Sequence, residues 1–142
     1  MAYVERNFPY PRLGLMFFFN VHDAVGPGAP NRANDVWLVQ TMLADILNDP
    51  TFGFPETIQA TRAFNDVTAR AIREFQKAWR RRVRLSLGQR DGAIDGRVSS
   101  AQNIGYQRGP DIWAYTIVAM NVEWKLYQPD RFQQLAEANQ LT

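Results

Sequence analysis

The chain has one histidine, His22, and it stands beside Asp23 just before a Gly-Pro-Gly stretch. A histidine oriented by a carboxylate is a common catalytic base, but it needs a nucleophile within hydrogen-bond reach. Adjacent side chains seldom converge on one site, and the sequence indicates no nucleophile near this pair. One histidine and no cysteine also cannot supply the ligands of a protein zinc site. We therefore interpret His22 as a surface or capping residue.

Paired carboxylates could hydrolyse a glycan. Four acidic residues are available for this: Glu56, Glu74, Asp91 and Asp95. Glu74 falls on the polar side of a predicted helix, and the other three stand in turn or cap contexts. The glycines form neither of the phosphate-binding patterns that bind nucleotides. We predict that the chain is not an enzyme and that it binds no cofactor and no metal.

Aromatic and arginine side chains could instead bind a ligand without reacting with it. Tyr106 and Trp113 follow the Asp95-Gly96 dipeptide, and Arg97 comes directly after it. Aromatic rings stack on the C–H faces of sugars, and arginine pairs with carboxylates. The alternative is that these rings fill the edge of a core. Trp37 leaves the same two alternatives open, core margin or exposed stacking surface.

Charge and hydropathy limit the partners. Lys and Arg number 16 against 14 Asp and Glu, so we expect no nucleic-acid binding. The arginine cluster at 80–84 fits a solvated helix end, with a patch for an anionic polymer as the alternative. No apolar run reaches the roughly 18 residues of a membrane span. The apolar stretch 13–21 contains Asn20 and precedes no small-residue cleavage site, so we expect no signal peptide and synthesis in the cytoplasm.

Hydrophobic periodicity predicts the elements that must position these residues. Apolar residues at three- and four-residue steps predict helices near 33–48, 65–80 and 110–127, and a short helix near 129–138. We expect Asn31 to cap the first helix, and Asn65 with Thr68 to cap the second. Segment 15–21, with its three consecutive phenylalanines, is predicted as a short strand, and so is the alternating segment 83–87. A chain of 142 residues is long enough for one domain with its own core.

Three motifs, in this order, carry a resemblance to a known family. The first helix matches D-V-x-x-L-Q-x-x-L at Asp35, Val36, Val39, Gln40 and Leu43. The second matches T-x-x-A-V-x-x-F-Q at Thr68, Ala71, Ile72, Phe75 and Gln76. The third, D-G-x-x-G-x-x-T, is matched at Asp95, Gly96 and Val98, with Ser99 and Gln102 in place of the later glycine and threonine. In this order the motifs resemble the peptidoglycan-binding-like family.

The resemblance implies a mainly α fold, a three-helix bundle of the peptidoglycan-binding-domain type with a minor β element. The helical domain would occupy 31–127, between an extended apolar arm at 1–30 and a short helix and tail at 128–142. Gln40, Thr68, Phe75 and Gln76 would be structural residues. The implied function is non-catalytic binding of bacterial cell-wall peptidoglycan. We predict that the glycan-peptide ligand contacts loop residues, namely Arg62, Asp95, Arg97, Tyr106 and Trp113.

The alternative is a structural or adaptor subunit of a phage-tail-like or secretion assembly, with this fold used for protein contacts. Such a subunit would bind its partner through the apolar segment 13–19 or the Trp37 surface. The phenylalanines distinguish the two hypotheses, since an independent wall binder would bury them in its own core. Wall binding further requires delivery to the cell envelope, whereas a subunit would reside in the assembly.

Overall fold

The computed structural model describes residues 2–7, 13–87, 95–101 and 115–140. In chain order these residues form strands β1 (Tyr3–Glu5) and β2 (Phe18–Asn20), helix α1 (Ala33–Leu47), a 3-10 turn (Pro50–Phe52), and helices α2 (Asp66–Leu87), α3 (Thr116–Tyr127) and α4 (Pro129–Gln140). The prediction of a mainly helical chain with a minor β element is confirmed. The expected start of the third helix, 110–114, lies outside the described residues.

The two strands pair antiparallel and bring the N-terminal segment onto the helices. Val4 lies opposite Phe19 in this ladder. Phe18 and Phe19 are buried, and the ring of Phe19 packs 5.3 Å from Trp124 and 5.4 Å from Phe132. The half-buried Phe17 stacks on Phe132 at 5.3 Å. The chain therefore covers its own phenylalanines, Phe17 and Phe19 with rings of α3 and α4.

Two buried asparagines attach β2 to its neighbours. The side chain of Asn121 on α3 accepts the Phe19 N–H at 2.7 Å and donates to the Phe19 carbonyl at 2.8 Å. On the next residue, the Asn20 side chain pairs in the same way with Ala101, at 3.0 and 3.1 Å. Each amide occupies the place of a neighbouring strand, which satisfies backbone groups that burial would otherwise leave unpaired.

Helix α1 begins at the predicted position, Ala33, but with a different capping residue. Arg32, not Asn31, holds the cap position, and it makes no side-chain cap hydrogen bond. Asn31 has a positive φ of 50° and uses its side chain to bond both the N–H and the carbonyl of Gly26. The expected cap was wrong because this loop requires the amide. Asp35 accepts the N–H groups of His22 and Asp23, each at 3.0 Å, and so ties the preceding loop to the first turn of the helix.

Helix α2 has the predicted start and a later end. The Asn65 side chain accepts the Thr68 N–H and hydroxyl, both at 2.8 Å, which confirms the expected cap. The strand predicted at 83–87 is wrong, because the helix continues to Leu87. Val83, Leu85 and Leu87 alternate with polar residues, which is typical of a strand. Trp79, Val83 and Leu87 are also spaced by four residues, which is typical of one face of a helix. The four arginines at 80–84 belong to the last two turns of this helix.

Helix α4 closes the core against α1 and α3. Asp45 on α1 accepts the Trp124 indole N–H at 2.7 Å and a guanidinium N–H of Arg131 at 3.0 Å. Phe132 and Ala136 on α4 are buried in the same core as Trp124. Segments from both ends of the chain therefore share one core with the central helices. Among the described helices, none combines the length and apolarity that a membrane crossing would need.

Candidate functional site: two glutamine-anchored turns and the Trp37 groove

The turn before α2 is anchored by a buried glutamine on α1. The Gln40 Nε2 lies within 3.2 Å of three oxygens, the Thr61 hydroxyl, the Ala63 carbonyl and the Thr68 hydroxyl. Its Oε1 accepts the backbone N–H of Arg62 at 3.0 Å. One side chain thus fixes the loop and the start of the helix that follows it.

The turn before α3 is anchored in the same way by a buried glutamine on α2. The Gln76 Nε2 lies 3.1 Å from the Asp95 carboxylate, 3.0 Å from the Arg97 carbonyl and 3.1 Å from the Thr116 hydroxyl. Its Oε1 accepts the Gly96 N–H at 2.9 Å. The Asp95 carboxylate also accepts the Arg97 N–H at 2.9 Å, which closes the turn around the glycine.

The two turns therefore repeat one structure, residue by residue. Thr61, Arg62 and Ala63 correspond to Asp95, Gly96 and Arg97, and Thr68 corresponds to Thr116. The central residues share a left-handed backbone, with φ of 70° at Arg62 and 74° at Gly96. Thr116 takes the threonine role that the sequence pattern placed at Gln102, after a long insertion. The spacing T-x-x-A, present at Thr68-Ala71 and again at Thr116-Ala119, was the signal that could have identified it.

The second turn is also attached to the N-terminal segment. Val25 and Val98 exchange backbone hydrogen bonds at 2.9 and 2.8 Å. A Cβ built on Gly26 would lie 2.9 Å from the Arg97 Cα and from the Gly96 carbonyl oxygen, so only glycine permits this close approach. The turn is thus held from both sides, by Gln76 and by the segment at 25–26.

The first turn borders a groove in which Arg62 and Trp37 are partners. The Arg62 guanidinium lies 5.4 Å from the centre of the Trp37 ring, within cation–π range. It also donates one N–H to the Asn34 side-chain oxygen at 2.8 Å. The groove has a volume of about 180 Å³. Its lining is Ala2, Tyr3, Phe19, Asn34, Trp37, Leu38, Arg62 and Leu135, from both strands, α1, the first turn and α4.

A second depression shares Trp37 and Leu135 with this groove. It measures about 300 Å³ and is lined by those two residues with Arg131 and Gln134. The described lining of the two hollows therefore includes two arginines and no acidic residue. We call the pair of hollows the Trp37 groove.

Tyr3 forms one rim of the groove and joins a buried polar cluster. Its hydroxyl donates to Glu5 at 3.2 Å and accepts from the Asn20 amide at 3.1 Å. Partial burial, followed by the negative charge of Glu5, raises the pKa of the Tyr3 phenol. The Tyr3 hydroxyl thus serves as both donor and acceptor in this cluster.

The predicted ligand residues fall into separate groups. Arg62 lies in the first turn and lines the Trp37 groove. Asp95 and Arg97 lie in the second turn, are exposed, and do not line that groove. Tyr106 and Trp113 lie outside the described residues. Residues of the groove that the sequence did not reveal, Tyr3 and Leu135 above all, come from opposite ends of the chain.

His22, Glu56 and Glu74 lie in surface pairs, Glu74 with Lys77 at 3.4 Å. Asp95 belongs to the second turn, and Asp91 lies outside the described residues. Asp23 contacts both His22 and Arg32, and those contacts lower the pKa of its carboxyl, with the His22 hydrogen bond the largest cause. Glu56 forms a two-bond pair with Arg70, at 2.6 and 2.7 Å, which lowers its pKa. Within the described ranges, no three His, Cys, Asp or Glu side chains cluster as a metal site would require.

Comparison of the chain with protein-family models, curated proteins and solved structures finds no match.

Proposed function

We propose that this protein is a non-catalytic module that binds bacterial peptidoglycan, on a bundle of the peptidoglycan-binding-like type. The observation that carries the proposal is the repeated glutamine-anchored turn. Gln40, Thr68 and Gln76 are positions of the family pattern, and each is buried in one of the two anchors. The residues that carry the resemblance are therefore joined in space as well as ordered in sequence.

The anchored turns suit binding because they hold exposed side chains on a fixed backbone. Arg62, Asp95 and Arg97 are exposed, although a buried glutamine bonds the Arg62 N–H, the Gly96 N–H and the Arg97 carbonyl. Binding to side chains on an already ordered backbone costs less conformational entropy than binding that must first order a loop. The wall polymer offers C–H faces for aromatic rings and carboxylates for arginine. Acting there would require delivery to the envelope.

A subunit of a phage-tail-like or secretion assembly is the second candidate. Met16, within the segment proposed for partner contacts, is 67% exposed, and Leu126 on α3 is 62% exposed. The neighbouring phenylalanines argue for the independent module, because the chain buries Phe18 and Phe19 and half-buries Phe17 in its own core.

Co-sedimentation with purified sacculi tests the proposal. We expect the parent protein to pellet with sacculi, to remain soluble with cellulose of equal mass, and to elute as a monomer when light scattering is recorded. The sacculi should release no fragments. Failure to pellet, together with self-association in solution, would favour the assembly subunit.

A further inference from the structure

The backbone of Arg62 shows that an arginine stands where the fold favours glycine. The corresponding residue of the second turn is Gly96, and both have the left-handed conformation that residues with a Cβ rarely adopt. Strain of this kind persists in folded proteins where the surroundings impose it, and it concentrates at binding sites. An arginine at this position points to a use for its side chain.

The contacts of Arg62 hold its guanidinium in one place. The guanidinium is held beside the Trp37 ring, and Asn34 accepts one N–H from the five that the group carries. A guanidinium positioned in this way is preorganised for the two-bond pairing that carboxylates form with arginine. Lysine would supply the charge without the planar fork.

The rest of the groove selects the ligand further. Its floor is apolar, formed by the buried Phe19 and Leu38 with the half-buried Leu135. Arg131 lines the second hollow, but its guanidinium is already paired with Asp45 at 3.0 Å, so the positive charge offered to a ligand is chiefly that of Arg62. Because the described lining has no carboxylate, the groove is complementary in charge to an anionic ligand with small apolar groups. The peptide part of peptidoglycan has both features, alanine methyl groups and free carboxylates. The sugar units to which it is linked carry no free carboxylate.

We propose that the Trp37 groove binds the peptide stem of the wall polymer, with Arg62 as the residue that receives a free carboxylate. The inference rests on the proposed function and deepens it, since it names which part of the polymer is recognised and where. The methyl groups would contact Trp37 and Leu135 while the carboxylate pairs with Arg62.

The test uses an N-acetylated synthetic stem tetrapeptide, Ala-γ-D-Glu-Lys-D-Ala, once with both carboxylates free and once with both amidated. Binding to the ¹⁵N-labelled full chain is followed by NMR at the Trp37 indole N–H, which a Trp37→Phe variant identifies. We expect saturable shifts with the free acid and at least about tenfold weaker binding of the amide, the effect of losing one charge-assisted contact.

Three variants complete the experiment. Arg62→Gly relieves the backbone strain and should remain folded by circular dichroism, yet bind the free acid at least about tenfold more weakly. Arg62→Lys should fall between the parent and that variant. Arg73→Gln removes the same charge from an exposed position on α2 outside the groove and should bind as the parent does.

Equal binding of the acid and the amide, or parent-like binding by Arg62→Gly, would overturn the proposal. The absence of any shift with the free acid would also overturn it, even if the parent pelleted with sacculi, and wall binding would then stand at another site. Binding of the free acid without pelleting would support the groove and overturn the proposed wall-binding function.

Discussion

Arg62 and Gly96 are the residues at which the two turns differ most. They share a left-handed backbone and a hydrogen bond from the backbone N–H to a buried glutamine, but only one of them lacks a Cβ. Alanine in this conformation costs about 1–2 kcal/mol relative to a relaxed backbone. The two positions therefore allow the backbone strain to be measured apart from side-chain contacts.

We expect Arg62→Gly to be more stable than Arg62→Ala by about 1 kcal/mol, because both variants lose the Trp37 contact and only glycine relieves the strain. Urea denaturation measures the difference. The mirror change, Gly96→Ala, should destabilise the protein by a similar amount, since its Cβ would meet only the Arg73 side chain at ordinary contact distances, 3.5 Å and beyond. Equal stability of the two Arg62 variants would contradict this account of the turn.

At this scale the sequence predicts residues that local patterns specify. The Asn65 cap on Thr68 follows from spacing within one turn and was predictable. The role of Asn31 was not predictable, because its side chain bonds the N–H and the carbonyl of Gly26 within a loop and does not cap the helix. Arg62 could be nominated as a ligand residue, but its backbone bond to Gln40 and its contact with Trp37 both involve another element, α1.

At the scale of elements, each anchor joins a helix to the turn that starts the next one. Removing Gln76 would leave the buried N–H of Gly96 without its acceptor, and the Arg97 carbonyl and Thr116 hydroxyl without their donor. Burying an unsatisfied polar group costs about 1–3 kcal/mol. The anchor should therefore contribute measurably to stability.

We expect Gln76→Met, which keeps the side-chain length, to lower the free energy of unfolding by about 2–4 kcal/mol. Gln133→Met on the exposed face of α4 is the matched control and should change it by less than about 0.5 kcal/mol. Both are measured by chemical denaturation. A loss at Gln76 no larger than at Gln133 would mean that the second turn does not depend on its anchor.

The elements themselves were predictable where the apolar stripe is long. Helices α1 and α2 begin near their predicted positions because their stripes and, for α2, the cap are local features. The end of α2 was not predictable, because the apolar residues of segment 83–87 fit both the two-residue repeat of a strand and the four-residue step of a helix. Thr116 was missed because an insertion separates it from the glycine of its turn, and only the hydrogen bond to Gln76 reveals its role.

At the scale of the whole molecule, the two ends of the chain complete both the core and the groove. Phe19 from β2 contacts Trp124 and Phe132, and it also lines the groove with Leu135. Local spacing cannot predict such contacts, since they join segments more than a hundred residues apart, as the Phe19 to Asn121 hydrogen bonds do. The groove thus follows from the tertiary fold.

We expect Phe19→Ala to lower the free energy of unfolding of the entire molecule by about 3–5 kcal/mol in one cooperative transition, because its ring is 3% exposed and fills a core shared by strand and helices. Phe17→Ala, at a half-buried position, should cost less. Thermal unfolding followed by circular dichroism and by tryptophan fluorescence measures both. Two separate transitions in the parent would contradict a shared core.

The central claim is that the protein recognises the wall polymer rather than adsorbing to it through its small positive charge. The most direct measurement is displacement of the parent protein from sacculi by soluble muropeptides, released from the same sacculi with a muramidase, at constant salt. We predict saturable displacement that follows a single binding isotherm, while the sugar disaccharide alone displaces little. Protein that stays bound to sacculi at saturating muropeptide, or that is released only by added salt, would contradict the claim.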